Sequence, residues 1–370
     1  MTWQPADPYD ELPELPPKVE LETKQVLKAV IEARTALATL GQAARRMTNP
    51  TVLINSIPLL EAQASSEIEN IVTTADDLFR FAHDELAATN PATKETLKYR
   101  TALFAGIRLI ETRPLSSKTA AQVCTIVKGH EMDVRKLPGT FIGNPATRAA
   151  IYTPPSSENV IRDKLDNWES FLHQPGGLDP LVVMAVAHYQ FEAIHPFEDG
   201  NGRTGRIMNI LMLMSAGLID QPILYLSRYI IQQKDDYYRL LLEVTRDGNW
   251  EEWILFVLEG IRTTALSTVV KIDQIQDLQN ETLSTIREVT SAANADLLAV
   301  LFEQPYCRIS NVVSRCGVSR PTATNWLNAL VRERVLIDIK AGRERIFINS
   351  KFFNLLMRPE IAPETEPTFF

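Results

Sequence analysis

His195-Pro196-Phe197-Glu198-Asp199-Gly200-Asn201-Gly202-Arg203-Thr204-Gly205-Arg206 is the stretch on which the reading of this chain turns. Ahead of it, Leu181–Ile194 (LVVMAVAHYQFEAI) is apolar on nearly every side, the pattern of a buried helix. Pro196 pushes His195 out of helical conformation, so that helix should end there. Behind it, IMNILMLMSAG reads as a second buried helix that Gly217 can terminate. Two core helices therefore hold a polar loop carrying a base, a carboxylate, glycines and two arginines.

Asp199-Gly200-Asn201-Gly202 falls where the second helix begins. The first-turn N–H groups of a helix lack intrahelical partners, and the dipole is positive at that end. Glycines let a phosphate approach the backbone. Arg203 and Arg206, three apart, project near one another, and guanidinium groups suit phosphate oxygens. Asp199 is a hard oxygen donor of the kind that holds Mg²⁺ beside phosphates. His195 can accept a proton near neutral pH. The convergence outlines a site where a hydroxyl is deprotonated beside a bound nucleotide. A solvated charged turn at a helix start is the plain alternative.

The stretch resembles the Fic signature His-x-Phe-x-Asp/Glu-Gly-Asn-Gly-Arg-x-x-Arg at every specified position, and the resemblance extends less sharply over Arg113 to about Gly260. It implies a protein adenylyltransferase that moves AMP from ATP to a Ser, Thr or Tyr hydroxyl of a target protein or of itself. His195 would be the base and Asp199 the Mg²⁺ ligand. Gly200, Asn201, Gly202, Arg203, Thr204, Gly205 and Arg206 would hold the nucleotide, and Phe197 would anchor the loop. The related Doc-type kinases carry Lys where this chain has Gly202, which favours AMP transfer over phosphoryl transfer. Two alternatives stand beside it: the reverse enzyme, which removes AMP with Glu69 positioning water, and a nucleotide-sensing DNA-binding regulator with little turnover.

Ser65-Ser66-Glu67-Ile68-Glu69-Asn70 ends an earlier helical stretch. On its residues alone it is an exposed acidic helix end. By the same resemblance it matches the family's inhibitory pattern Ser/Thr-x-x-x-Glu-Gly/Asn, which implies that Glu69 pairs with Arg206. A carboxylate in that arginine fork would take the place of a γ-phosphate. Tyr237-Tyr238 resembles the family's tyrosine pair at the nucleotide base, with Gln232 nearby. Tyrosines at such spacing are also ordinary core residues.

The rest of the chain supplies the frame. With 370 residues, 45% hydrophobic and 23% charged, it can build two or three globular domains. A net charge of −8 gives no evident nucleic-acid or membrane-surface binder. Cys124, Cys307 and Cys316 lack metal-ligand spacing and fit a reducing compartment. The acidic, proline-rich start is unlike a signal peptide, and no apolar run reads as long enough to span a membrane, so a cytoplasmic protein is expected.

Residues 1–20 should be extended. Leu21–Arg46 and Leu53–Asn70 read as helices, the second interrupted near Pro58, and residues 73–111 as mixed helix. His83, His130 and His173 are isolated, and His188 suits a core or capping role. Thr140–Ile142 and Ala149–Thr153 read as a hairpin turning at Gly143-Asn144-Pro145. The resemblance makes this hairpin a flap onto which a target segment can add as a strand. Leu218–Ile231 reads as loop, Gln232–Arg246 as helix. A long helix follows, a candidate homodimer surface.

Ala295–Ser350 reads as three helices and a hairpin, a winged helix-turn-helix, with eight Lys/Arg against five Asp/Glu. DNA binding through Arg320, Asn325 or Arg343 and docking of protein partners are both open. The expected fold is mainly α. It has an N-terminal segment (1–112) with the inhibitory helix, a Fic-type core with a β-hairpin flap (113–262), a connecting helix (263–292), a winged-helix domain (293–352) and a tail (353–370).

Overall fold

The computed structural model describes residues 3–47, 49–82, 85–143, 149–290, 294–341 and 344–358. Residues 3–23 form no helix or strand and run as a strap across the later chain. The Tyr9 N–H donates to the Thr153 carbonyl (3.0 Å), and Thr153 Oγ1 donates to the Pro5 carbonyl (2.8 Å). Asp10 Oδ1 accepts from the Ser156 N–H (2.7 Å). The Leu15 N–H donates to Asn167 Oδ1 (2.8 Å), and Gln190 Nε2 donates to the Pro13 carbonyl (2.8 Å). Leu12 is fully buried beneath it. The prolines rule out a helix there, and these side chains supply the partners the extended backbone requires.

Helix α1 (Lys24–Arg46) starts at an N-cap, Thr23, that accepts from the Val26 N–H. It buries Val26, Val30, Ala33, Leu37 and Leu40. Helix α2 (Thr51–Ile68) runs straight through Pro58, where an interruption was expected. Proline removes one backbone donor, and the burial of Leu53, Ile57, Leu59, Leu60 and Ala64 outweighs that loss. Asn70 stops the helix in the left-handed region (φ 61°), with the Ile71 N–H closing onto the Ser66 carbonyl. Helices α3 (Ala75–Phe81), α4 (Pro91–Ile110) and α5 (Ser117–Lys128) follow.

Strands β1 (Ile142–Gly143) and β2 (Ala150–Tyr152) pair antiparallel as the expected hairpin; its turn residues Asn144 and Pro145 lie outside the described residues. Helix α6 (Glu158–His173) leads to the two central helices, α7 (Pro180–Ile194) and α8 (Asn201–Ser215). Nearly every residue of both is buried.

Residues 218–231 are not all loop. Helix α9 (Leu226–Gln232) lies there, with Leu226, Ser227 and Ile230 buried. It escaped the sequence reading because two turns give too little periodicity. Helix α10 (Lys234–Asp247) follows, and then α11 (Trp250–Val289). Its 40 residues run without a break through the expected boundary at 262. By length and composition a window of α11 could cross a membrane, contrary to the sequence reading. Of that window 56% is buried, and α1 packs along it, which is how a core helix behaves.

The C-terminal part contains α12 (Asn294–Glu303), α13 (Ile309–Cys316) and α14 (Arg320–Arg332). It also contains β3 (Tyr306–Arg308), β4 (Ile337–Ala341), β5 (Glu344–Ile348) and α15 (Ser350–Met357). The hairpin β4–β5 gains β3 on its other side, in the order β3-β5-β4. β3 and α15 were not expected; three residues are too few to show alternation. Arg320 and Asn325 are exposed on α14, and Arg343 lies outside the described residues. This part docks on α2, α3 and α11: Tyr306 hydrogen-bonds Asp76, Asn55 Nδ2 donates to the Glu303 carbonyl (3.2 Å), and Lys271 Nζ donates to the Leu356 carbonyl (3.0 Å).

Candidate active site

His195 ends α7 in the left-handed region (φ 49°, ψ 60°), its N–H bonded to the Phe191 carbonyl at 3.0 Å. Pro196 disfavours continuing the helix, and the left-handed turn swings the loop toward α8. Phe197 is buried, 6.2 Å from the Phe191 ring. Its N–H donates to Asn201 Oδ1 and its carbonyl accepts from Asn201 Nδ2, both at 2.8 Å. The Asn201 side chain thus staples the loop. Gly200 precedes α8 with φ 83°, and a Cβ there would come 3.3 Å from Cys124 Sγ. This is where the chain needs glycine, for both conformation and space.

Arg203 and Arg206, in the first turns of α8, are both buried. Arg206 Nε donates to Ser65 Oγ, and its Nη2 to the Ser65 carbonyl and to Glu69 Oε1, all at 2.8 Å. Burial alone would raise the Glu69 carboxyl, but the Arg206 charge overrides it and holds it below the ordinary range. A Cβ on Gly202 would come within 2.2 Å of Glu69 Oε1, so the carboxylate lies directly against the first turn of α8. Lys234 Nζ donates to the Ile68 carbonyl at 2.7 Å and ties α10 to the end of α2. Arg203 Nη1 donates to Glu95 Oε1 of α4 at 2.6 Å.

Asp199 forms an ion pair with Lys128, its Oδ1 accepts the Gly200 N–H (2.6 Å), and 63% of its side chain is exposed. Burial pushes its carboxyl up, yet Lys128 and Arg203 leave it below the usual range. One open carboxylate beside a helix start is a donor set of the kind that Mg²⁺ shares with phosphate oxygens. Among the described residues no cluster of three metal-ligating side chains exists. The fit is therefore to a nucleotide-borne ion rather than to a metal caged by protein alone.

The His195 imidazole is held well below its ordinary value, at about 4, first by desolvation and next by the Arg135 charge. It is neutral at physiological pH and can accept a proton. Glu192, one turn earlier, went unnoticed in the sequence. Burial pushes its carboxyl up to about 7, with Glu69 adding to that and Arg206 opposing it. Its Oε1 has no hydrogen-bond partner among the described residues, and a Cβ on Gly205 would meet it at 2.4 Å.

A cavity of about 470 Å³ opens between the hairpin (Ile142, Ile151), the end of α2 (Glu69, Asn70), Glu192 and α10 (Tyr238, Leu241). Tyr238 lines it. Tyr237 does not: it is buried, hydrogen-bonded to His188 Nε2 at 2.9 Å. Successive helical residues point about 100° apart, so the pair divides between cavity and core. Gln232 is exposed at the end of α9 and lines no part of the cavity. Thr204 and Gly205 are buried inside the helix packing, where they let the helices close rather than reach the cavity. His188 is a core histidine, held down to about 3 by burial. His173 Nε2 pairs with the Leu115 carbonyl (2.9 Å), His130 is exposed, and His83 lies outside the described residues.

Helices packed around a histidine-capped loop, with two buried arginines in the first turns of the next helix, define a helical protein with one polar site at its centre. Three family models match in tandem: Fic/DOC family N-terminal over residues 27–108, Fic/DOC family over 119–213, and Protein adenylyltransferase SoFic-like, C-terminal domain, over 278–352. The chain belongs to the Fic/DOC family. It is 25% identical over 245 residues to Protein adenylyltransferase Fic of Drosophila virilis, covering 66% of this chain and 46% of that protein. It is 30% identical over 110 residues to the protein of the same name from Drosophila melanogaster, covering 30% of this chain and 21% of that one. The chain thus spans about half the length, or less, of these curated relatives. In fold it resembles a crystal structure of a Fic family protein from Desulfovibrio desulfuricans G20, with TM-score 0.58 and 20% identity, covering 89% of this chain and 97% of that one.

Proposed function

We propose that this chain is a protein adenylyltransferase that transfers AMP from ATP to hydroxyl side chains, held in check by Glu69. The observation that carries the reading is the Glu69–Arg206–Ser65 contact against the Gly202 backbone. A carboxylate rests on the arginine that suits a terminal phosphate and lies against the first turn of α8. Adenylyltransferase relatives support the same activity.

In this reading the triphosphate lies along the first turn of α8. The N–H groups of Asn201, Gly202 and Arg203 face it with the positive end of the helix dipole. A target hydroxyl loses its proton to the His195 imidazole. Its oxygen forms a bond to the α-phosphorus as the bond to the β-bridging oxygen breaks, and pyrophosphate leaves with that electron pair. Arg206, once free of Glu69, neutralises charge on the leaving group. Asp199, released from Lys128, is the residue that would hold Mg²⁺, which would spread the charge of the phosphates. The cavity beneath the hairpin takes the nucleoside, with Tyr238 as its aromatic wall. A target segment added to the hairpin edge places its hydroxyl near His195.

Incubation with α-labelled ATP, Mg²⁺ and a cell lysate, followed by mass spectrometry of labelled proteins, tests the proposal. AMP on Ser, Thr or Tyr, lost with His195→Ala, is the expected result. Absence of AMP transfer from Glu69→Gly protein that is folded and binds ATP would sink it.

A further inference from the structure

Arg135 stands between α5 and β1 in no regular element, yet it is 3% exposed. Its guanidinium is spread over backbone carbonyls of two distant segments. Nε donates to the His195 carbonyl at 2.8 Å. Nη2 reaches the Ile194 carbonyl at 3.4 Å and the Pro155 carbonyl at the foot of β2. The Arg135 N–H donates to the Pro196 carbonyl at 2.9 Å. Three successive carbonyls of the catalytic turn thus meet one residue, and no carboxylate among the described residues forms an ion pair with it.

We infer that Arg135 is a positioning residue for His195: it locks the left-handed turn that aims the imidazole, ties that turn to the foot of the hairpin, and sets a positive charge near the ring. The inference rests on the reading of His195 as the base. A non-glycine residue in the left-handed region costs about 1 kcal/mol or more and persists only when its surroundings enforce it. The Arg135 bonds are that enforcement. Dipolar carbonyls leave more of the guanidinium field in place than a carboxylate would. The groups acting on the imidazole are Arg135 from the segment before β1, Glu69 at the end of α2, Asp199 from the loop and, through a backbone hydrogen bond, Glu192 of α7. Only Arg135 joins desolvation in opposing protonation, while the other three favour it.

Two variants of the full chain separate geometry from charge. Arg135→Gln keeps a donor and loses the charge; Arg135→Lys keeps the charge and loses the fork. The readouts are the His195 imidazole titration by NMR, and kcat and KM for AMP transfer against pH. For Arg135→Gln we expect the titration midpoint and the acid limb of kcat to move together to higher pH. For Arg135→Lys we expect an unmoved midpoint with kcat lower by roughly tenfold at every pH and KM for ATP within about twofold, as for a misaimed base. Folded variants with wild-type kcat and an unmoved midpoint overturn the inference. So does a kcat loss in Arg135→Gln that tracks a lower melting temperature while the imidazole titrates as in wild type. If Arg135→Gln does not fold, wild-type kcat in Arg135→Lys is sufficient to overturn it. A folded Glu69→Gly chain without AMP transfer removes the adenylylation reading, while the imidazole titration still tests Arg135.

Discussion

Replacing Glu69 with glycine is the perturbation with the clearest expected sign. Glu69 Oε1 lies 2.8 Å from Arg206 Nη2, with 2% of the arginine side chain and 35% of the glutamate side chain exposed. A fully buried pair would be worth several kcal/mol, but a partner one-third open to solvent is partly screened. Hydrogen bonds to charged groups contribute about 1.5–3 kcal/mol net. If that interaction is what a terminal phosphate must displace, removing it should raise AMP transfer by roughly 10- to 150-fold at subsaturating ATP, one decade per 1.4 kcal/mol. The assay is incorporation of label from α-labelled ATP into the chain itself and into added protein. Glu69→Gly combined with Arg206→Ala should fall back to low activity, because freeing an absent arginine gains nothing, and such non-additivity marks directly coupled residues. Unchanged transfer in folded Glu69→Gly, or additive effects in the double variant, would refute the reasoning.

Other expectations follow from the same geometry. His195→Ala should lower transfer by roughly 10²–10⁴-fold while calorimetric ATP binding stays near wild type. Because the imidazole is held at about 4, kcat should stay level from neutral pH down to about 5 and fall below that, which a pH–rate profile will read. Asn201→Ala removes two 2.8 Å bonds and orphans the Phe197 N–H and carbonyl; a loss of about 2 kcal/mol in denaturant unfolding is expected. His188 is buried and neutral, held down to about 3, so the unfolded chain binds the extra proton first. Its contribution to stability is complete above about pH 6.5 and is lost as pH falls toward 3. Melting temperature should drop across that window, and less steeply in His188→Gln.

Much of the His195–Arg206 loop was legible because its geometry is local. His195 to Arg206 are contiguous, and a proline, glycines and flanking apolar runs set their geometry without help from elsewhere. The Glu69–Arg206 contact spans 137 positions, and only the resemblance suggested it. What stayed hidden was contributed singly by distant elements. Lys128, Glu95 and Glu192 look like solvated charges on their own helices, and only tertiary packing turns them toward the loop. Arg135 sits in a segment without periodicity. The tyrosine pair divided because adjacent residues of a helix cannot share a face. Helix α9 and strand β3 were too short for any period to register.

The strap at residues 3–23 bears on how the molecule assembles. Its hydrogen-bond partners lie 148, 152 and 177 positions further along the chain. During synthesis this segment emerges well before its partners and cannot dock until Thr153, Asn167 and Gln190 have been made and packed. Contacts of such separation slow folding, and until they form, Leu12 and the foot of the hairpin stay open to water. The strap's arrival is an event that a fluorescence probe at Trp3, which stacks on Tyr152 with ring centroids 6.5 Å apart, can time separately from the closing of the helical core.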